Sequence, residues 1–214
     1  MTNKLEEKLT LGLETGIDGG SVAVLKGNRL LCSAEGAGDI SKSEDLLSLV
    51  DNLLKKNSLL KEDIGYIAVS DSPGSLTGLR IGLATAAGLK DSIAAEIYKI
   101  PILEAQVIIS PAKNNAISAL YTEKGGLYYC KFRYIDGIFY AETDIMNERE
   151  PNEFVEKLFR ENTTLVLDNN LAAKLSNIGR INFEVMKNDT YIIGGNLAGN
   201  IGLAANLIMR PIMK

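Results

Sequence analysis

Apolar positions along this chain follow two spacings, short runs bounded by glycine or proline that suit strands and three-to-four-residue recurrences that suit helices. Apolar-rich stretches at 9–15, 21–25 and 29–33 are separated by the glycine-rich segment Gly16–Gly20 and by Gly27-Asn28. They predict three strands joined by tight turns, an antiparallel meander. From Ser43 to Lys56 the pattern changes, and Leu46, Leu49, Val50, Leu53 and Leu54 line one helical face. Ser43 is the expected cap, with acids in the first turn and lysines in the last. The run Tyr66–Ser70 is short and β-branched enough for a buried strand. Pro73-Gly74 forces a turn, and Ser75 or Thr77 caps a helix over Thr77–Leu89. A strand over 96–100 and a helix over 103–109 follow.

The second half carries a similar, thinner pattern. Strands are expected at 116–121, 127–134 and 138–142, the last two flanking Asp136-Gly137, the strongest hairpin signal in the chain. Pro151 suits the first turn of a helix reaching Phe159. A strand at 164–167, a short helix at 171–175, a last strand at 181–186 and a glycine-interrupted helix at 194–207 complete the reading. The two halves show no convincing sequence repeat.

One helix stands out. In SPGSLTGLRIGLATAAGL, residues 72–89, Gly78, Gly82 and Ala86 recur every fourth position, and Ala84, Ala87 and Gly88 add further small side chains. Glycine inside a helix costs about 0.5–1 kcal/mol relative to alanine, so close packing against another backbone is the natural compensation. Arg80 lies in the first turn, where the dipole disfavours a cation and a negative partner is expected. Three readings fit: a tightly packed core helix, an anion cradle at the helix N-terminus, or a face that meets another subunit. No Gly-Lys-Ser/Thr follows the turn, so the phosphate-loop signature is missing.

Composition narrows the chemistry. The 214 residues are 46% hydrophobic, ample for a core, and 23 Lys and Arg against 27 Asp and Glu give a formal net charge of −4. That balance disfavours general electrostatic attraction to nucleic acid. The sequence has no histidine, which excludes His-ligated zinc, Ser-His or Cys-His nucleophile pairs and histidine acid–base catalysis. Cys32 and Cys130 fit no metal spacing and are expected as reduced thiols. The charged start MTNKLEEKLT has no apolar signal core and no run has the length of a membrane span, so a cytoplasmic protein is expected.

The stretch PGSLTGLRIGLATAAGL closely resembles the Pro-Gly-Ser-(Phe/Leu)-Thr-Gly-(Leu/Val)-Arg-(Ile/Val)-Gly motif of the TsaB (YeaZ) family. The match is dense there, looser to Ala105 and faint beyond. The resemblance implies an α/β fold of two ribonuclease-H-like lobes of the actin, sugar-kinase and heat-shock ATPase superfamily, the second reduced. The expected division is 1–102 and 103–214. It also implies a non-catalytic partner of TsaD in forming threonylcarbamoyladenosine on tRNA next to the anticodon, from threonylcarbamoyl-adenylate made by TsaC, with the ATPase TsaE taking part. The His-x-x-x-His metal pair of TsaD homologues is missing here. Docking would use the two helices above, with Leu46, Leu49, Val50, Leu53, Leu79, Arg80, Ile81, Gly82, Ala84 and Thr85 as the expected partner face. Alone, the protein would form a homodimer. No cofactor is expected, except ATP or ADP at the subunit joint.

The resemblance also marks departures and an alternative. Glu14 stands where family members usually carry Asp, and Tyr121-Thr122-Glu123-Lys124 replaces their usual Asp-Ala-Arg run. Glu14, Gly74 and Ser75 are candidate nucleotide or anion contacts, although a carboxylate ahead of a glycine-rich turn is commonly a turn-forming group. Gly194-Gly195-Asn196 is similar to the Gly-Gly pair that supports adenosine in related kinases. Asp168, at a strand end, is the sole second acid for an enzyme reading as a small ATPase or kinase. Tyr121, Tyr128, Tyr129, Tyr134 and Tyr140, interleaved with Lys124, Lys131 and Arg133, mimic a nucleic-acid surface, but aromatics are favoured on strands for packing alone.

Overall fold

The computed structural model describes residues 8–36, 43–122, 124–149, 163–177 and 190–209. The chain divides into two compact units, residues 1–105 with 195–214, and residues 106–194.

The first unit is built on a five-stranded sheet. Its strands are β1 (Leu9–Glu14), β2 (Ser21–Lys26), β3 (Arg29–Glu35), β4 (Ile64–Val69) and β5 (Glu96–Lys99), in the order β3-β2-β1-β4-β5. β1 runs antiparallel to β2, and β2 antiparallel to β3, whereas β1–β4 and β4–β5 are parallel. Strand alternation divides β1 between two faces. Leu9, Leu11 and Leu13 enter a core with Leu46, Val50, Leu53 and Leu54 of α1 (Ser43–Lys56) and Ala86 of α2 (Leu76–Ile93). Burying a leucine stabilises by roughly 1.5–3 kcal/mol. Thr10, Gly12 and Glu14 point to the other face, which the last helix, α5 (Leu197–Met209), covers.

Gly12 shows why α5 lies there. A Cβ at Gly12 would overlap the Ala198 carbonyl, so the helix backbone rests directly on the strand. Polar contacts fix the register. Thr10 Oγ1 donates to Asn206 Oδ1 at 2.7 Å, Asn206 Nδ2 donates to the Gly27 carbonyl at 2.5 Å, and Ser21 Oγ accepts from the Ala198 N–H at 3.1 Å. The sequence places this helix in a second lobe running 103–214; in the structure it joins the first unit, and the division falls after Ala105 rather than after Ile102.

The second unit repeats the plan. Its strands are β6 (Ala116–Thr122), β7 (Gly126–Ile135), β8 (Ile138–Ala141), β9 (Met146–Glu148), β10 (Thr164–Asp168) and β11 (Thr190–Ile193). Read from β8, the order is β8-β7-β6-β10-β11, with two antiparallel and then two parallel pairings, as in the first sheet. Strand order and direction are those of a ribonuclease-H-like lobe in both units. β9 is additional and pairs with β7 at Leu127–Tyr129. α3 (Ile102–Ile109) spans the division, and α4 (Asn169–Asn177) follows β10 directly. Asp136 and Gly137, with φ of 50° and 87°, make the expected two-residue hairpin turn. Ile117, Leu127, Tyr129, Leu165, Leu167, Leu171 and Leu175 form the second core. The helix expected from Pro151 and the strand expected at 181–186 lie outside the described residues.

Candidate functional site

The β1–β2 turn and the N-terminus of α2 meet in the first unit. Parallel pairing brings the ends of β1 and β4 side by side, and the Ser70 N–H donates to the Leu13 carbonyl at 3.0 Å. The β4–α2 turn contains the cis Ser72–Pro73 peptide and Gly74, which lies against Gly16. The Ser75 N–H donates to the Gly16 carbonyl at 2.8 Å, and Ser75 Oγ caps α2 by accepting from the Gly78 N–H at 3.3 Å. Thr15 Oγ1 donates to the Gly78 carbonyl at 2.7 Å. A Cβ at Gly78 would overlap the Thr15 carbonyl, and one at Gly82 would overlap Thr15 Oγ1. The stripe of small residues on α2 is therefore the seat of the chain's own β1–β2 turn.

That packing corrects the expected partner face. Leu46, Val50, Leu53, Leu79, Gly82 and Thr85 are buried within the chain and have no surface to offer another protein. They face inward because α1 and α2 cover the leucine side of β1. Leu49 and Ile81 are half-buried. Arg80 and Ala84 are exposed, and with them Leu76, Thr77, Ala87, Gly88 and Asp91. So the helix has two small-residue faces, and only the second, around Ala84, Ala87 and Gly88, is open. Leu76 is 71% exposed, an apolar residue at the mouth of that face that periodicity did not single out.

Glu14 ends β1 and is 1% exposed. Its Oε1 accepts from the Gly16 N–H at 2.5 Å and the Ile17 N–H at 3.0 Å. Burial pushes this carboxyl up to about 8, against the opposing pull of those backbone donors. Glu14, Gly74 and Ser75 are thus brought together around Gly16. Burial, with the Asp71 carboxylate second, raises Glu104 as well. Among the described residues no group of three acids or cysteines is arranged to hold a metal.

The remaining candidates have structural duties. Asp168 accepts from the backbone N–H groups of Tyr121, Asn170 and Leu171, tying β6 to the start of α4. Asn196 Oδ1 accepts from the Gly199 N–H and caps α5. Tyr129 is in the second core, Tyr121 OH accepts from Lys174 Nζ at 2.7 Å, and Tyr134 packs on Phe139. Arg133 pairs with Glu142 rather than standing free for a phosphate. Cys32 and Cys130 are free thiols, as expected.

The family model described as "TsaD: tRNA N6-adenosine threonylcarbamoyltransferase" matches residues 40–137. A tRNA threonylcarbamoyladenosine biosynthesis protein TsaB from Buchnera aphidicola (subsp. Schizaphis graminum) is 30% identical over 95 residues, 44% of this chain and 45% of that protein. The chain is similar to the TsaB (YeaZ) family. The match spans less than half the length of that curated relative. Among solved structures, YeaZ from Pseudomonas aeruginosa aligns with a TM-score of 0.61 at 16% identity, over 95% of this chain and 93% of that one. An inorganic polyphosphate/ATP-glucomannokinase from Arthrobacter aligns with a TM-score of 0.57 at 10% identity, over 95% and 99%. At such identities these likenesses establish the fold alone: α/β, with two ribonuclease-H-like lobes. No helix among the described residues is long and apolar enough to cross a membrane.

Proposed function

We propose that this chain is a non-catalytic scaffold subunit that binds a TsaD homologue and supports the formation of threonylcarbamoyladenosine on tRNA next to the anticodon. The observation that carries the reading is the outer face of α2. Arg80 is exposed and without an ion-pair partner among the described residues, beside the bare helical surface of Ala84, Ala87 and Gly88. Half-buried Ile81 and Leu83 flank it, and α1, which packs on α2, adds half-buried Leu49. Small side chains let a partner helix approach toward the short end of the usual interaxial range of about 8–10 Å. Arg80, the fifth residue of α2 and so beyond the first turn where the sequence placed it, offers an exposed cation to a partner carboxylate.

Sequence similarity to TsaB supports the assignment to this pathway. A net charge of −4 is consistent with tRNA being held by the partner rather than by this chain. In this reading a TsaE-type ATPase joins the assembly, and ATP or ADP enters only at the subunit joint. The isolated chain pairs with a second copy through the same face, and the work is done in the cytoplasm. Ala84→Trp tests the docking surface. The side chain is exposed, so the secondary structure seen by circular dichroism should be unchanged while co-purification with a TsaD homologue is lost. Undiminished co-purification would count against the assignment.

A further inference from the structure

We propose that the β1–β2 turn is a closed anion nest whose occupant is the chain's own Glu14 carboxyl, so that the phosphates of a nucleotide are kept out of this turn. Consecutive backbone N–H groups converging on one oxygen are the arrangement by which turns hold anions. Here Gly16 and Ile17 donate to Glu14 Oε1, at 2.5 and 3.0 Å. The turn then curls back through Asp18, Gly19 and Gly20, all with positive φ, and the Gly20 N–H closes it on the Ile17 carbonyl at 2.8 Å. Its opposite side is fastened to α2. The Gly16 carbonyl is taken by the Ser75 N–H, the Thr15 hydroxyl by the Gly78 carbonyl, and Leu79 covers Gly16.

A phosphate entering this turn needs the two N–H groups that Glu14 holds. The competitor is tethered two residues away, and tethering gives it an effective concentration of order millimolar or more. It is also buried, so expelling it requires the carboxyl to leave a site where its hydrogen bonds are already made.

The inference is independent of the docking face on α2. Wild type, Glu14→Gln and Glu14→Ala are compared by amide NMR at Gly16 and Ile17, with inorganic pyrophosphate and with magnesium ADP as probes. Wild type and Glu14→Gln, which retains an acceptor oxygen, should show no shift of either amide. Glu14→Ala should show saturable shifts of both with pyrophosphate. Wild-type amides that move saturably with either probe overturn the proposal, as does a folded Glu14→Ala protein whose amides respond no more than those of wild type. Should Glu14→Ala fail to fold, wild type and Glu14→Gln decide: silent amides in both support the closed nest, and a response in either contradicts it.

Discussion

Glu14 is where one side chain's environment makes the sharpest claim. In an unfolded chain its carboxyl titrates near its ordinary 4.5; in the folded protein burial raises it to about 8. The folded state therefore binds the proton more tightly, and this contribution to stability is full below the unfolded value and lost as pH rises through the folded one. Urea denaturation of wild type and Glu14→Gln between about pH 5 and 9 should show the wild-type advantage shrinking with pH. Parallel curves would mean that Glu14 is not held as a buried acid. Two glycines of α2 make a second residue-level contrast. Gly78 has the Thr15 carbonyl where a Cβ would go, so Gly78→Ala should destabilise by about 1–3 kcal/mol. Gly88 has nothing within 4 Å, so Gly88→Ala should stabilise the isolated chain by about 0.5–1 kcal/mol. Equal effects at the two sites would contradict the inward and outward assignment of the faces.

At the level of elements, the body and C-terminal end of helix α1 were legible, since the leucine stripe marks its face and the terminal lysines its last turn. The strand–turn–helix unit of β4 and α2 was legible too, with Ser75 the cap in fact; Ser75→Ala should cost about 0.5–2 kcal/mol, read from thermal melts. Which side of α2 faces out was not legible. Both faces carry Gly and Ala, so periodicity alone cannot distinguish a face stripped for the protein's own β1–β2 turn from one left bare to solvent. Thr15 and Gly16 gave no signal, because their contacts with Gly74, Ser75 and Gly78 span some sixty residues of sequence. β9 and β11 were missed for a related reason. MNE and TYII are three- and four-residue strands whose pairing with β7 and β10, not their composition, makes them strands.

The molecule as a whole repeats one sheet plan twice without a visible sequence repeat, which is possible because a sheet demands only alternation, turns and apolar bulk. The division between units was missed at its far end. α5 reads as part of the second half by position, yet its glycine and alanine surface matches β1 and β2 of the first. Deleting residues 195–214 should expose that sheet face and uncouple Thr10, Ser21 and Gly27 from their partners. The first unit should then lose cooperative unfolding, whereas a cooperative transition at the wild-type midpoint would show α5 to be dispensable. The docking claim is tested most directly by hydrogen exchange of the full chain with and without a TsaD homologue. Slowed exchange should centre on α2 from Arg80 to Gly88 and extend to α1. Protection confined to other elements, with α2 unchanged in a demonstrably formed complex, would contradict it.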